Sequence, residues 1–136
     1  MPSDESDTIA ALRTWDVIWP HDGFIYPPKW KMWVCVSVQN LWFLRVNSIR
    51  YNPSDAALPL ALHPFLEKDS WLGCTGDLAE ITAYELEEAL KKQGNPDRRG
   101  LVGSIHPDCR EAALVGFAAS DNLSTARKAE IFRECS

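Results

Sequence analysis

The stretch KMWVCVSVQNLWFLRVNSI, residues 31–49, decides the fold, because it is the longest run dense in β-branched, aliphatic and aromatic residues. Two apolar arms flank the polar pair Gln39 and Asn40, and Asn tolerates the positive φ of a tight turn. The pattern therefore predicts one β-hairpin. A turn centred on this pair places Lys31 opposite Ser48, on one face of the hairpin. The polar residues at the open end of the hairpin are Lys31, Arg45, Asn47 and Ser48.

The composition of the 136 residues fits a single domain, residues 1–136, large enough to form a core without disulfides or metals. A net charge of −5 argues against a protein that coats nucleic acid. No apolar run reaches the roughly 20 residues that span a bilayer, and the four cysteines lack the spacing of a metal knuckle. We therefore expect no membrane association, no cofactor, and a reducing, cytoplasmic compartment.

The order of the segments predicts an α+β fold. Residues 1–13 are expected to be flexible, apart from one helical turn over residues 8–13. Residues 14–82 hold five or six short strands with no helix between them, which excludes a parallel sheet and predicts a small, curved antiparallel barrel. Residues 83–136 are expected to form about three helices packed on that barrel.

Start and stop signals define these three helices. Thr82 and Glu85 form a capping box at the start of the first helix. The second helix is predicted over residues 107–119, with Pro107 in its first turn, and the third over residues 125–134, with Ser124 as its cap. The residues of the second helix expected to face inward are Leu114, Val115, Phe117 and Ala118.

The open end of the hairpin is the first group of residues that could carry chemistry. Lys31 and Ser48 share one face and Arg45 and Asn47 the other, and cations beside polar side chains suit a phosphodiester. The structural alternative is that these residues are solvated strand ends, with Arg45 paired to Glu67 or Asp69.

Two further groups lie in loops and near a helix start. His21, Asp22, His63 and Asp69 supply acid and base groups if they converge. The structural alternatives are an Asp-Gly turn at Asp22 and a hydrogen bond from His63 to a backbone carbonyl. A metal site of His106 and Cys109, completed by Cys74 or Cys35, is the weakest interpretation, because two such groups do not establish a four-ligand site.

The order of elements in residues 14–82 resembles that of the MazF and PemK (Kid-type) toxins, which are small SH3-like barrels. The matching features are a first strand of the form x-D-V-I-W, a long loop, a basic residue opening KMWVCVSV, and a strand LWFLRVNS that ends in a hydroxyl residue. The family has Arg followed by Pro at the basic position, where this chain has Lys31 followed by Met32, and its hydroxyl position corresponds to Ser48. The segments HPFLEKDSWLGC and SDNLSTARKAEI are also similar to small uncharacterised bacterial and phage-associated proteins.

The resemblance implies a metal-independent endoribonuclease or a binder of single-stranded RNA. Lys31 or Arg45 would hold the phosphate, Ser48 and Asn47 would orient it, and His21 or His63 would transfer protons. The resemblance also implies a protein partner, such as an antitoxin or a host or phage protein, and a homodimer.

Two alternatives come from other classes of protein. The first is an inactive barrel that binds a protein partner through exposed aromatic residues, for which the candidates are Trp30, Trp71, Phe24 and Tyr26. The second is a phage or mobile-element regulator whose acidic surface mimics or blocks nucleic acid, which only the net charge supports.

Overall fold

The computed structural model describes residues 4–136 and shows an α+β protein whose antiparallel sheet curls into a half-barrel. The helices are α1 (Asp4–Ala11), α2 (Ala83–Lys91), α3 (Pro107–Ala119) and α4 (Thr125–Cys135). The strands are β1 (Asp16–Ile18), β2 (His21–Asp22), β3 (Lys29–Trp30), β4 (Trp33–Ser37), β5 (Trp42–Asn47), β6 (Ala56–Leu58), β7 (Ser70–Leu72), β8 (Ala79–Glu80) and β9 (Gly103–Ser104). None of the helices described is long and apolar enough to cross a bilayer.

The sheet runs in the order β6-β7-β5-β4-β1-β9, with β8 paired to the turn end of β5, and each strand pair is antiparallel. Strands β2 and β3 form a separate two-stranded ribbon. All five residues of β4 are buried, because both faces of the sheet are covered at its centre. This explains why the sequence WVCVS is a continuous apolar run rather than an alternating one.

The three helices predicted over residues 83–136 are present as α2, α3 and α4, and they cover the sheet from both sides. On one face, Val34 and Leu44 join a core with Phe117 of α3 and Ile131 of α4. On the other face, Trp33, Cys35 and Phe43 join a second core with residues of α2 and of the segment around α1. Alternation along β4 presents apolar side chains to both faces, and each face needs its own cover.

Two elements extend beyond the predicted ones, because α1 begins before the helical turn predicted over residues 8–13 and β9 lies outside the predicted strands. Helix α1 occupies part of the N-terminal segment predicted to be flexible, and Ile9 and Leu12 pack on the same core as α2. The remaining residues, 1–3, lie outside the described part of the chain. After α2, strand β9 pairs with β1 through Asp16 and Ser104, so the sheet includes a strand from beyond residue 82.

The helix signals are largely confirmed. Thr82 and Glu85 form the capping box of α2, α3 spans residues 107–119, and Ser124 caps α4. The inward face of α3 differs from the prediction, because Val115 is 66% exposed and Ala118 is exposed. Leu114 is half-buried against the core. The buried residues of α3 are Cys109, Ala113, Gly116 and Phe117.

The central hairpin forms, but with a bulge. Ser37 pairs with Trp42, as a turn centred on residues 39 and 40 requires. Cys35 then pairs with Phe43, so Val36 is an extra residue on β4. An extra residue in one strand shifts each pair beyond it and changes which side chains share a face.

The bulge changes the open end of the hairpin. The N–H of Val46 donates to the carbonyl of Met32 at 3.0 Å, which continues the shifted ladder beyond β4. One step further along this ladder, Lys31 lies level with Asn47 rather than with Ser48. The predicted Lys31–Ser48 pair is therefore wrong, and Lys31 shares a face of the sheet with Asn47.

Candidate functional site

The open end of the hairpin borders a cleft of about 220 Å³, which we call the lysine cleft. The ends of β4 and β5, strand β3 and the loop before β7 enclose it. The residues that line it are Trp19, Lys29, Trp30, Lys31, Met32, Val46, Asn47, Ser48, Leu66, Glu67, Lys68 and Ser70. The cleft therefore combines cationic, aromatic and hydrogen-bonding side chains over a partly apolar floor.

The lysine cleft carries a local excess of positive charge. Lys29, Lys31 and Lys68 line it, and Glu67 is the one carboxylate among its lining residues. Within the described part of the chain, none of the three ammonium groups forms an ion pair. Burial, followed by the neighbouring charge of Lys29, lowers the pKa of Lys31, whereas Asp22 opposes this shift. Three lysines outside ion pairs, against one carboxylate in the lining, attract an anionic ligand although the chain has a net charge of −5.

Two indole rings stand beside these cations. Trp30 is 39% exposed, and the imidazole ring of His21 meets it edge-on, with ring centroids 5.0 Å apart. The guanidinium of Arg98 lies 3.9 Å from the ring centroid of Trp19. An exposed indole next to lysines can stack on a planar ring whose substituents carry negative charge.

Arg45 does not line the lysine cleft, and its guanidinium is paired with Asp22 of the β2–β3 ribbon. Its Nε donates to Asp22 Oδ2 at 2.6 Å, and Trp33 Nε1 donates to the same oxygen at 2.9 Å. Asp22 is completely buried, and its other oxygen accepts from the Phe24 N–H at 3.0 Å. Burial alone would raise the pKa of Asp22, but the bonds from Arg45 and Trp33 and the charge of Arg45 outweigh it and lower the pKa.

These contacts correct the partner proposed for Arg45. Its carboxylate is Asp22, not Glu67 or Asp69, and Asp69 instead accepts from the backbone N–H of Leu60 at 2.8 Å. A second nitrogen of Arg45, Nη1, donates to the carbonyl of Asp77 at 3.1 Å. The guanidinium of Arg45 is therefore already hydrogen-bonded within the fold, to Asp22 and to the carbonyl of Asp77.

His63 is completely buried and hydrogen-bonded on both ring nitrogens. Its Nδ1 lies 2.8 Å from the Pro59 carbonyl, and its Nε2 accepts from the His106 N–H at 3.0 Å. The accepting Nε2 requires the neutral tautomer in which Nδ1 carries the proton and donates to Pro59. His63 therefore connects the loop after β6 to the start of α3, and the structural alternative for this residue is confirmed.

The thiols and the histidine at the start of α3 have structural surroundings. All four cysteines are free and buried, and burial raises the pKa of Cys74 and of Cys135 to about 12. His106 caps α3 by accepting from the Asp108 N–H at 3.1 Å. Within the described residues, no group of three or more His, Cys, Asp and Glu side chains could hold a metal ion.

A second groove, of about 380 Å³, lies between the β2–β3 ribbon and α2. Its lining includes Phe24, 57% exposed, Tyr84, 72% exposed, and His21. Tyr26 is 97% exposed on the same ribbon. Two of the predicted aromatic binding residues, Phe24 and Tyr26, are therefore accessible to a partner, but away from the lysine cleft.

The lysine cleft unites only part of the predicted site. Of the six candidates for catalysis, Lys31, Asn47 and Ser48 line it, whereas Arg45 and His63 do not and His21 contacts it only through Trp30. The residues that sequence reasoning missed are Lys29, Lys68 and Trp19. The run Lys-Trp-Lys at residues 29–31 was the available signal, because it places an aromatic ring between two cations.

A scan against protein-family models and a search of curated proteins returned no match to this chain. The class that the fold defines is an α+β protein with a curled antiparallel half-barrel, covered by helices on both faces. The resemblance to the MazF and PemK toxins stays a prediction from the sequence.

Proposed function

We propose that this protein binds single-stranded RNA in the lysine cleft, as a cytoplasmic relative of the SH3-like MazF and PemK barrels. The observation that carries the proposal is the convergence of Lys29, Lys31 and Lys68, against one carboxylate in the lining, beside the exposed indole of Trp30. Lysines neutralise phosphates, and an aromatic ring stacks on an unpaired base that a duplex would not present. Asn47 and Ser48 supply hydrogen bonds to phosphate or sugar oxygens.

RNA cleavage is a separate step of this proposal. It requires a group that transfers protons near the bound phosphate, and His21, packed against Trp30, is the histidine closest to the cleft by contact. His63 is unsuited to this role, because both of its ring nitrogens are used within the core. Binding is therefore the activity that the geometry supports best, and cleavage depends on His21.

The experiment is a salt titration of RNA affinity, followed by the fluorescence anisotropy of a labelled RNA pool. Each of Lys29→Ala, Lys31→Ala and Lys68→Ala should weaken binding and reduce the slope of log affinity against log salt by roughly 0.7, because each removes one phosphate contact. The matched control is Lys91→Ala on α2, which removes an exposed lysine paired with Glu88. Circular dichroism checks that each variant is folded.

Two outcomes would overturn the proposal. One is the absence of RNA binding by the wild-type protein at low salt. The other is an equal effect of Lys91→Ala and of the cleft variants, which would indicate only non-specific attraction. Incubating the RNA pool with the wild type and with His21→Ala tests cleavage. An intact pool with the wild type excludes cleavage, and equal cleavage by both proteins excludes His21 as the group that transfers protons.

A protein-binding function is the second candidate, and the groove between the ribbon and α2 favours it. Phe24 and Tyr84 are large aromatic residues exposed on either side of that groove, and such residues are enriched at interfaces. Phe24→Ser should then abolish recovery of a partner from a cell extract while leaving RNA affinity unchanged. Equal recovery with wild type and Phe24→Ser would exclude this surface.

A further inference from the structure

A cationic and aromatic patch lies directly beside the lysine cleft. Trp71 of β7 pairs with Asn47 of β5, so their side chains are neighbours on the same face of the sheet. The guanidinium of Arg50 covers Trp71, with its central carbon 5.1 Å from the ring centroid. The face of the sheet that carries Lys31 and Asn47 therefore extends to Trp71 on β7, with Arg50 over its ring.

Hydrogen bonds from backbone N–H groups to the Asp55 carboxylate stabilise the loop that carries Arg50. Asp55 is buried, and its carboxylate accepts from the N–H groups of Tyr51 at 3.0 Å and Asn52 at 3.1 Å. Nη2 of Arg50 donates to the carbonyl of Pro53. The loop consequently presents Tyr51, 71% exposed, without first having to become ordered.

The charge of the loop suits a nucleic acid. Residues 49–54 contain Arg50 and no carboxylate, and Asp55 is turned inward to the backbone. Apart from its bond to Pro53, the guanidinium of Arg50 donates no hydrogen bond within the described residues. It therefore has N–H groups available for phosphate oxygens while it lies over the indole of Trp71, and Tyr51 offers a ring for a base.

We propose that Arg50, Tyr51 and Trp71 form a second nucleotide subsite, which binds the same RNA strand where it leaves the lysine cleft past Asn47. This inference rests on the proposed function, because it assigns a continuation of the bound strand. It implies that affinity depends on strand length, since a short oligonucleotide fills the lysine cleft alone and a longer one also reaches Tyr51.

The test compares the affinities of a dinucleotide and a dodecanucleotide of the same repeating sequence. Tyr51→Ala should weaken dodecanucleotide binding by roughly 5- to 150-fold, the range for losing one stacked base, and should leave dinucleotide binding unchanged. Arg50→Lys should also weaken only the longer strand, because lysine keeps the charge but lacks the planar, multiply donating guanidinium group. Tyr84→Ala removes an equally exposed tyrosine from α2 and is the control.

The failure of this inference can be told apart from the failure of the proposed function. If Lys31→Ala weakens both oligonucleotides while Tyr51→Ala and Arg50→Lys change neither, the lysine cleft binds RNA and the second subsite is wrong. If Tyr51→Ala weakens both strands to the same degree, the subsite is not specific to the longer strand and is also wrong. If the wild-type protein binds neither strand at low salt, the RNA-binding function and the second subsite are both wrong.

Discussion

Asp22 and Arg45 form an ion pair of 2.6 Å that joins the β2–β3 ribbon to the central sheet. Asp22 is completely buried and Arg45 is 15% exposed, so water screens this pair only weakly. Within the ribbon, Asp22 pairs with Lys29 and His21 with Trp30. The pair therefore fixes the position of the strand that brings Lys29 and Trp30 to the lysine cleft.

Replacing Asp22 with Asn should strongly destabilise the fold. The variant keeps the shape of the side chain but leaves the guanidinium of Arg45 without its counter-charge. Removing one partner of a buried ion pair costs about 3 to 5 kcal/mol, and the residual hydrogen bonds of Asn place this variant toward the lower end. Urea unfolding measures the change in the free energy of unfolding.

Asp77→Asn is the matched control, because Asp77 is exposed and only its backbone carbonyl contacts Arg45. Its free energy of unfolding should stay within about 0.5 kcal/mol of the wild-type value. If the two variants unfold at the same urea concentration, the Asp22–Arg45 pair does not hold the ribbon on the sheet.

The same pair should make stability depend on pH in the acid range. The pKa of Asp22 is lowered in the folded protein from an ordinary value of 3.8, so the folded state binds the proton less readily than the unfolded state. The contribution of the Asp22 carboxylate to the free energy of unfolding is complete above pH 3.8 and is lost as the pH falls through the folded pKa.

The urea midpoint of the wild type should therefore fall more steeply on acidification below about pH 4 than that of Asp22→Asn, which has no carboxylate to protonate at this position. If the urea midpoints of the wild type and Asp22→Asn change in parallel with pH, Asp22 is not the group that makes stability depend on acid pH.

The sequence predicts elements well where the signals are local. The capping box of Thr82 and Glu85 and the Pro at the start of α3 act within one turn of helix, and both helices begin where these residues place them. The register of the hairpin depends instead on a bulge at Val36, which no alternation of β-branched residues reveals. The prediction for the open end was wrong for this reason.

The candidate site was predictable only in part, because its remaining residues come together through tertiary contacts. Lys68 lies in a polar turn that resembles any solvated loop, and only the folded sheet brings it to Lys31. In the sequence, Asp22 is typical of an Asp-Gly turn. Its burial against Arg45 and Trp33 depends on the β2–β3 ribbon, which packs on the sheet from outside it. Likewise, the buried face of α3 combines Phe117 with the small residues Cys109, Ala113 and Gly116, whereas Val115 is exposed.

His63→Ala should destabilise the protein without changing the lysine cleft. The substitution leaves the N–H of His106 without its acceptor and opens a cavity, while the carbonyl of Pro59 loses His63 but still accepts from the N–H of Leu62. An unsatisfied buried polar group costs about 1 to 3 kcal/mol, to which the cavity adds. Thermal unfolding measures the loss, and RNA affinity at a temperature where the variant is folded should equal that of the wild type. A loss of RNA binding or cleavage in the folded His63→Ala protein would contradict this prediction and would indicate that His63 acts in the functional site.

Gly116→Ala should destabilise the protein, although the same change in an exposed helix usually stabilises it. Alanine is favoured over glycine in a helix interior by about 1 kcal/mol. At Gly116, however, a Cβ atom would lie 2.4 Å from the Ser54 carbonyl oxygen and 2.7 Å from Cys74 Cβ, so α3 would have to move away from the sheet. Overpacking of this kind costs about 1 to 3 kcal/mol and outweighs the helical preference.

Gly94→Ala provides the comparison for this prediction, because a Cβ atom at Gly94 would meet no atom within 4 Å. Its melting temperature should equal or slightly exceed that of the wild type, since alanine restricts the unfolded chain. Gly116→Ala should melt below both proteins in the same differential scanning calorimetry series. A Gly116→Ala protein that melts above the wild type would mean that α3 packs less closely on the loop at Ser54 and on Cys74, and that the small-residue face of α3 does not set its distance from the sheet.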